Sequence, residues 1–282
     1  MKTICLFRMK KYDVSLKESM SPKAVRSRKE SMRLNEVISK VDDELENGRG
    51  YYLGFCFQQD ELQQILSFVH EQWIDRLKQK YPTYWQRFSE IGMTRYHELA
   101  HLLDHGSTWV KEARMFPNNI VQKIRKMSLI KKLEEEYGPV EIVDAENLGH
   151  EEIDWRLVRP NEPLDVGPFH ADAWFYELGH GTRPSNETKA IKVWIALCCE
   201  PGLNGLKVVP DSQKKVWRYH GEFRHSFVKP QIDENEASLP AILLNTAPGD
   251  VVVFHDKLLH AGALNKGQYT RVSMEFMVFV RK

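Results

Sequence analysis

Cysteine is scarce in this chain: among 282 residues there are Cys5, Cys56 and the adjacent Cys198 and Cys199, with no Cys-x-x-Cys pair. That excludes a disulfide framework and fits a reducing compartment. The vicinal pair lies in an apolar, strand-like run and reads as buried thiols. Long apolar runs are missing too. No stretch reaches the roughly 18 residues of a membrane-spanning helix, and the apolar centre of "MKTICLFRMKK" is too short for a signal peptide. Nor is there an excess of either charge: 40 basic and 39 acidic residues leave a net +1, which offers no general attraction to nucleic acid or anionic membrane. The basic run "KESMSPKAVRSRK" reads as a solvated segment rather than a nucleic-acid arm. Internal repeats and low-complexity tracts are also lacking. What is left is a globular, cytoplasmic chain with no nucleic-acid partner and no membrane span, whose 42% hydrophobic residues can build a sizeable core.

One local motif stands out first. "YHELAH" contains His97-Glu98-x-x-His101, and on a helix residues four apart share a face, so both imidazoles could meet one Zn²⁺ while Glu98 activates water. A third ligand is needed, and His105 is the only nearby candidate. By composition such a string arises by chance in roughly one comparable chain in twenty-five. The alternative is a helix whose Tyr96, Leu99 and Leu103 face the core.

The texture of the chain changes near residue 140. Residues 1–139 show helical periodicity, as in "DELQQILSFVHEQWIDRLKQKY", and "NIVQKIRKMSLIKKLEEEYG" ends on a helix-stopping glycine. Residues 140–282 hold short β-rich runs: "VEIVDAE", "EIDWRLVR", "KAIKVWIAL", "LKVVP", "AILLN", "DVVVFH" and "RVSMEFMVFV". No helical run of ten residues separates them, which argues for an antiparallel sandwich or barrel, packed by the N-terminal helices into one folding unit.

Within the β-rich part, His170 and Asp172 are two apart, so on an extended segment they project from one face. A histidine from another strand would complete a two-histidine, one-carboxylate triad, which holds non-haem Fe(II) and leaves three coordination positions open. His260 is the choice for it, with His255 as the alternative. His150-x-Glu152 and His220-x-Glu222 are competing pairs without the same flanking strands and glycines. Arg271 and Ser273 share a strand face, and a planar guanidinium suits a bidentate grip on a carboxylate.

This ordered set resembles the Fe(II)/2-oxoglutarate-dependent oxygenases, and among them the phytanoyl-CoA dioxygenase-like family. The likeness covers about residues 140–282: a strand at Ile153–Arg159, His170-Ala-Asp172, Trp194 in "KVWIAL", "NGLKVVPDSQKK", "PGDVVVFHDKLLHAG" and Arg271-x-Ser273. "PDSQ" departs from the family's usual Pro-Gly-Ser-His. The resemblance implies a double-stranded β-helix (jelly roll, cupin-like) core, mainly β with N-terminal helices. It also implies Fe(II) on His170, Asp172 and His260, with 2-oxoglutarate between the metal and Arg271, Ser273 and Trp194, and O₂ as oxidant. Succinate, CO₂ and a hydroxylated C–H bond would be the products, and an aspartate at position 172 favours hydroxylation over halogenation.

For the small-molecule substrate, Arg156, Trp174, Tyr176 and His180 are the candidate contacts; the polar and aromatic groups around them, without a long apolar channel, point to a polar, anionic or sugar-containing compound, and one of Arg156 and Arg159 is expected to contact an anionic substrate or the cosubstrate. Arg159, three residues from Arg156, is expected on the opposite face. The segment Arg218–Pro240 is long for a strand connection and is expected to act as a lid that orders on substrate binding. A zinc hydrolase built on His97, Glu98 and His101, and a jelly-roll binding protein without turnover, are the competing readings.

Overall fold

The computed structural model describes residues 40–224 and 227–282; Cys5 and the basic run at residues 17–29 lie outside them. Helices fill much of the first stretch: α1 (Lys40–Glu46), α2 (Gln59–Lys80), α3 (Trp85–Ile91), α4 (His105–Thr108), α5 (Asn118–Ile124) and α6 (Ser128–Tyr137). In α2 the apolar residues recur at helical spacing, burying Leu62, Ile65, Val69, Trp73 and Leu77. Helix α6 stops at Gly138, whose φ of 73° is open to glycine and costly for other residues. Its N-terminus is held from outside: Ser128 donates its N–H to Glu61 of α2 at 2.7 Å and its hydroxyl to the other carboxylate oxygen.

The strands are β1 (Tyr51–Cys56), β2 (Glu141–Ile142), β3 (Asp154–Val158), β4 (Thr188–Cys198), β5 (Leu206–Val208), β6 (Tyr219–Arg224), β7 (Phe227–Ile232), β8 (Ile242–Leu243), β9 (Asp250–His255), β10 (His260–Gly262) and β11 (Arg271–Arg281). The main sheet runs β1-β9-β4-β11-β2, with β3 also on β11; a second sheet runs β10-β5-β8. All these pairings are antiparallel. The result is the double-stranded β-helix, with helices laid on the outside of the main sheet.

Strand alternation places the chemistry. On one face of β4 and β11, Ile191, Val193, Ile195 and Leu197 join Val272, Met274, Phe276 and Val278 in the core that also contains Ile65, Trp73 and Leu77. A period of two turns the intervening residues inward, toward the second sheet. Trp194 and Ala196 there pack with Leu206, Val208, Val252 and Phe254. Arg271, Ser273 and Glu275 occupy the same inner face of β11.

Several expectations change. β1 is a strand within the otherwise helical first half, paired with β9 from Tyr51↔Phe254 to Cys56↔Asp250. "VEIVDAE" supplies only the two residues of β2. Arg218–Pro240 is not an irregular connection: it forms the hairpin β6–β7 and a short turn of 3₁₀-helix at Glu236–Ser238. "HELAH" is not α-helical but two 3₁₀ pieces, Met93–Glu98 and Ala100–Leu102, broken at Leu99. Tyr96 is fully buried, as expected of the core-facing alternative.

Candidate active site

His170 and His260 are joined back to back by their main chains. His170 N–H donates to His260 O at 3.1 Å and His260 N–H to His170 O at 3.0 Å, which clamps the loop before α7 (Ala173–Glu177) onto β10. Their rings lie 4.4 Å apart. His170 Nδ1 is 3.0 Å from Pro168 O and His260 Nδ1 is 3.0 Å from Leu258 O. A carbonyl only accepts, so each Nδ1 carries the proton and each Nε2 presents a lone pair. Those two Nε2 atoms lie 4.0 and 3.8 Å from the Asp172 oxygens. Among the described residues this is the group of metal-binding side chains whose ligand atoms all fall within 4.8 Å of one another.

Asp172 reaches the group differently from the expectation. It is not on a strand: with φ −61° and ψ −32° it starts α7, and the helical turn swings its carboxylate back toward His170. Burial pushes its carboxyl up, but Lys192, His260 and His170 outweigh that and hold it below the ordinary range. Burial, aided by the neighbouring His260, pushes His170 down to about 4, so the ring is neutral near pH 7, the form in which imidazole binds metal. Asp172 Oδ2 is buried without a hydrogen-bond partner. Two imidazole nitrogens and an orphaned carboxylate oxygen are the donor set of a divalent metal with open positions.

Farther along the inner face, Arg271 is 3% exposed and donates Nη1–H to Gly205 O at 2.6 Å. Its Nε and the Ser273 hydroxyl are buried with no partner. Buried donors left open in this way fit an anionic oxygen ligand. Trp194 packs between the sheets, opposite Glu275 on β11.

The candidate substrate residues separate into three settings. Arg156 pairs with Ser273 in register, faces the interior and bonds Glu275 through Nε at 3.0 Å and Nη2 at 2.8 Å. Arg159 lies beyond the end of β3 and grips Asp165 with two nitrogens at 2.9 and 2.7 Å. The run Trp174–Tyr176 is in α7 rather than on a strand. Trp174 is buried, stacked on Tyr219 of β6 at 4.4 Å and 7°, so it holds the hairpin. Tyr176 donates to Asp256, and Arg183 lies 5.6 Å over its ring. His180, half-buried in the loop after α7, makes no side-chain hydrogen bond among the described residues.

The zinc-like residues do not converge. His97 turns to Thr270 Oγ1 at 3.0 Å, Glu98 is paired with Arg95 at 2.7 Å, and His101 is exposed. His105 lies between Tyr96 and Asp165, at 3.0 and 3.4 Å. His255 ends β9 while His260 begins β10, so they are on different strands. His255 sits between Asp256 at 2.9 Å and Glu46 at 3.6 Å.

Two inward charges escaped the sequence reading. Glu275 and Lys192, 3.7 Å apart, lie among the site residues. Period-two spacing from Arg271 and Ser273, and from Trp194, was the signal for them.

The model of the phytanoyl-CoA dioxygenase (PhyH) family matches residues 65–273. Among solved structures, EvdO2 from Micromonospora carbonacea var. aurantiaca aligns over 86% of this chain and 91% of its own, at 13% identity and a TM-score of 0.54. Its complex with 2-oxoglutarate aligns over 87% and 91%, at 14% identity and a TM-score of 0.54. These likenesses speak for the fold. No curated protein matches the chain significantly. With three quarters of its length inside the family model, the chain belongs to the phytanoyl-CoA dioxygenase family and is an oxygenase of the non-haem iron, 2-oxoglutarate-dependent kind.

Proposed function

We propose that His170, Asp172 and His260 hold Fe(II), that Arg271 and Ser273 seat the far carboxylate of 2-oxoglutarate, and that the enzyme hydroxylates a C–H bond of a small polar or sugar-containing molecule. Succinate and CO₂ are the coproducts. The observation that carries this reading is the convergence of two proton-locked histidines and an orphaned carboxylate, together with the unpartnered Arg271 Nε and Ser273 Oγ on the inner face of the main sheet. Iron with 2-oxoglutarate supplies the oxidising power when O₂ is present.

The chain's own residues supply placement. Pro168 O and Leu258 O keep both ring protons on Nδ1, so the ligand nitrogens need no tautomer change. Arg271, out of reach of water, fixes the direction of the cosubstrate. Trp194, opposite Glu275, fills the space between the sheets. In this reading Arg156, Tyr176 and His180 contact the substrate, while Trp174 anchors the β6–β7 hairpin. Holding one C–H bond near the metal selects the product.

The test is anaerobic titration with Fe(II) and then 2-oxoglutarate, followed by the visible charge-transfer band that bidentate chelation produces. The wild type is expected to show the band and His170→Ala to lose it. Absence of the band, with bound zinc that disappears in His97→Ala, would return the site to the zinc-like segment.

A further inference from the structure

The inner face of the main sheet carries more positive charge than its own acids neutralise. Arg156, Lys192 and Arg271 lie there against Asp172 and Glu275. Asp154, the next acid on that face, is engaged by Arg114, whose Nη1 is 3.4 Å from it. Glu275 meets two cations at one of its oxygens. Its Oε1 accepts from Arg156 Nε at 3.0 Å, lies 2.8 Å from Arg156 Nη2, and is 3.7 Å from Lys192 Nζ. Bringing in a doubly positive iron and a doubly negative 2-oxoglutarate leaves this balance unchanged. One positive charge is still unmatched, and an anionic group entering the cleft would match it.

Exposure indicates which cation is open to a ligand. The Arg156 side chain keeps 47% of its surface accessible, although Asp154, Trp155, Leu157 and Val158 of the same strand are buried. Lys192 keeps 15% and Arg271 is 3% exposed. Arg156 therefore opens into the space between the sheets. Only its Nε–Nη2 edge is occupied, by Glu275, and Nη1 makes no hydrogen bond among the described residues. The outer edge of a guanidinium presents two parallel N–H donors, the geometry that receives a carboxylate bidentately.

We propose that the substrate carries one anionic group, a carboxylate, and that Arg156 receives it while Glu275 holds the guanidinium in place. This rests on the oxygenase reading of the site and narrows its substrate to acids. Anchoring one end of the molecule at Arg156 fixes the distance from that acid group to the bond oxidised.

Matched probes test it in the absence of a known substrate. Wild-type protein loaded anaerobically with Fe(II) and 2-oxoglutarate is titrated with benzoate against benzamide and with glucuronate against glucose. Binding is read from the change in the charge-transfer band and from the melting temperature. The acids are expected to bind about tenfold or more tighter than their neutral counterparts. Arg156→Gln should abolish that preference while 2-oxoglutarate affinity stays within about twofold. Equal binding of acid and neutral probe, binding of neither, or an Arg156→Gln variant that weakens 2-oxoglutarate and keeps the acid preference would each overturn the proposal. The last result would assign Arg156 to the cosubstrate. A wild type that shows no band with iron and 2-oxoglutarate fails the oxygenase reading instead.

Discussion

Replacing Arg271 with glutamine probes the cosubstrate end of the site. The guanidinium is 3% exposed, one nitrogen is committed to Gly205 O, and Nε has no partner, so a bound carboxylate would be its main counter-charge. A charge-assisted hydrogen bond is worth about 1.5–3 kcal/mol, and removing one partner of a buried ion pair costs about 3–5 kcal/mol. At 1.4 kcal/mol per factor of ten, a loss of ~3–4 kcal/mol raises the Kd for 2-oxoglutarate by roughly 10²–10³. Lysine keeps the charge but loses the planar fork, so Arg271→Lys should weaken binding by only about tenfold. Anaerobic titration of the charge-transfer band measures both, with iron affinity determined separately and expected to be unchanged. An Arg271→Gln protein that is folded, binds iron and retains a 2-oxoglutarate Kd within about threefold of wild type would refute this role for Arg271.

Three further outcomes follow from other parts of the fold. His255 is pulled down by burial, but Asp256 and Glu46 outweigh this and raise it to about 9. The stability it contributes is complete below its unfolded pKa of about 6.5 and is lost as pH rises through 9, so melting temperatures should fall across that window and fall less in His255→Gln. Trp73→Ala should cost about 3–5 kcal/mol in denaturant unfolding, because the side chain is fully buried under α2; a loss under about 1 kcal/mol would contradict that packing. His97→Ala and His101→Ala should leave metal stoichiometry unchanged, and metal loss in either would contradict the placement of these side chains away from the ligand group.

Legibility in the sequence followed the range of the interactions. The strands β4, β9 and β11, the apolar face of α2 and the stop at Gly138 are written in local patterns of period two, 3.6 and turn chemistry. His170, Asp172, His260, Arg271 and Ser273 were legible as an ordered set, and the fold brings the first three together. β1 was not, because "YYLGFC" becomes a strand by pairing with β9, a partner distant in sequence. The start of α7 was hidden for a related reason. Trp174, Phe175 and Tyr176 have strand propensities, and contacts such as Ala173 N–H to Asp256 O at 2.9 Å override them. β6 and β7 were read together as one long connection; Pro230 is tolerated in β7 because, among the described residues, the hairpin has no third strand. Glu275 and Lys192 were readable in principle, but a charge among apolar residues announces its face only once the register is known.

The pairing of β1 with β9 also has a kinetic side. Tyr51 meets Phe254 about two hundred residues later, and the bridge between His170 and His260 closes a loop of about ninety. Contacts of such long range form slowly, because chain entropy is lost before they return anything. During synthesis the helices α2 to α6 emerge well before β9, β10 and β11, with the apolar face of α2 still lacking its sheet. The ligand group cannot assemble until β10 has left the ribosome, so iron can only be acquired late. Until then the half-made chain depends on chaperones or on speed to keep that face from other nascent chains.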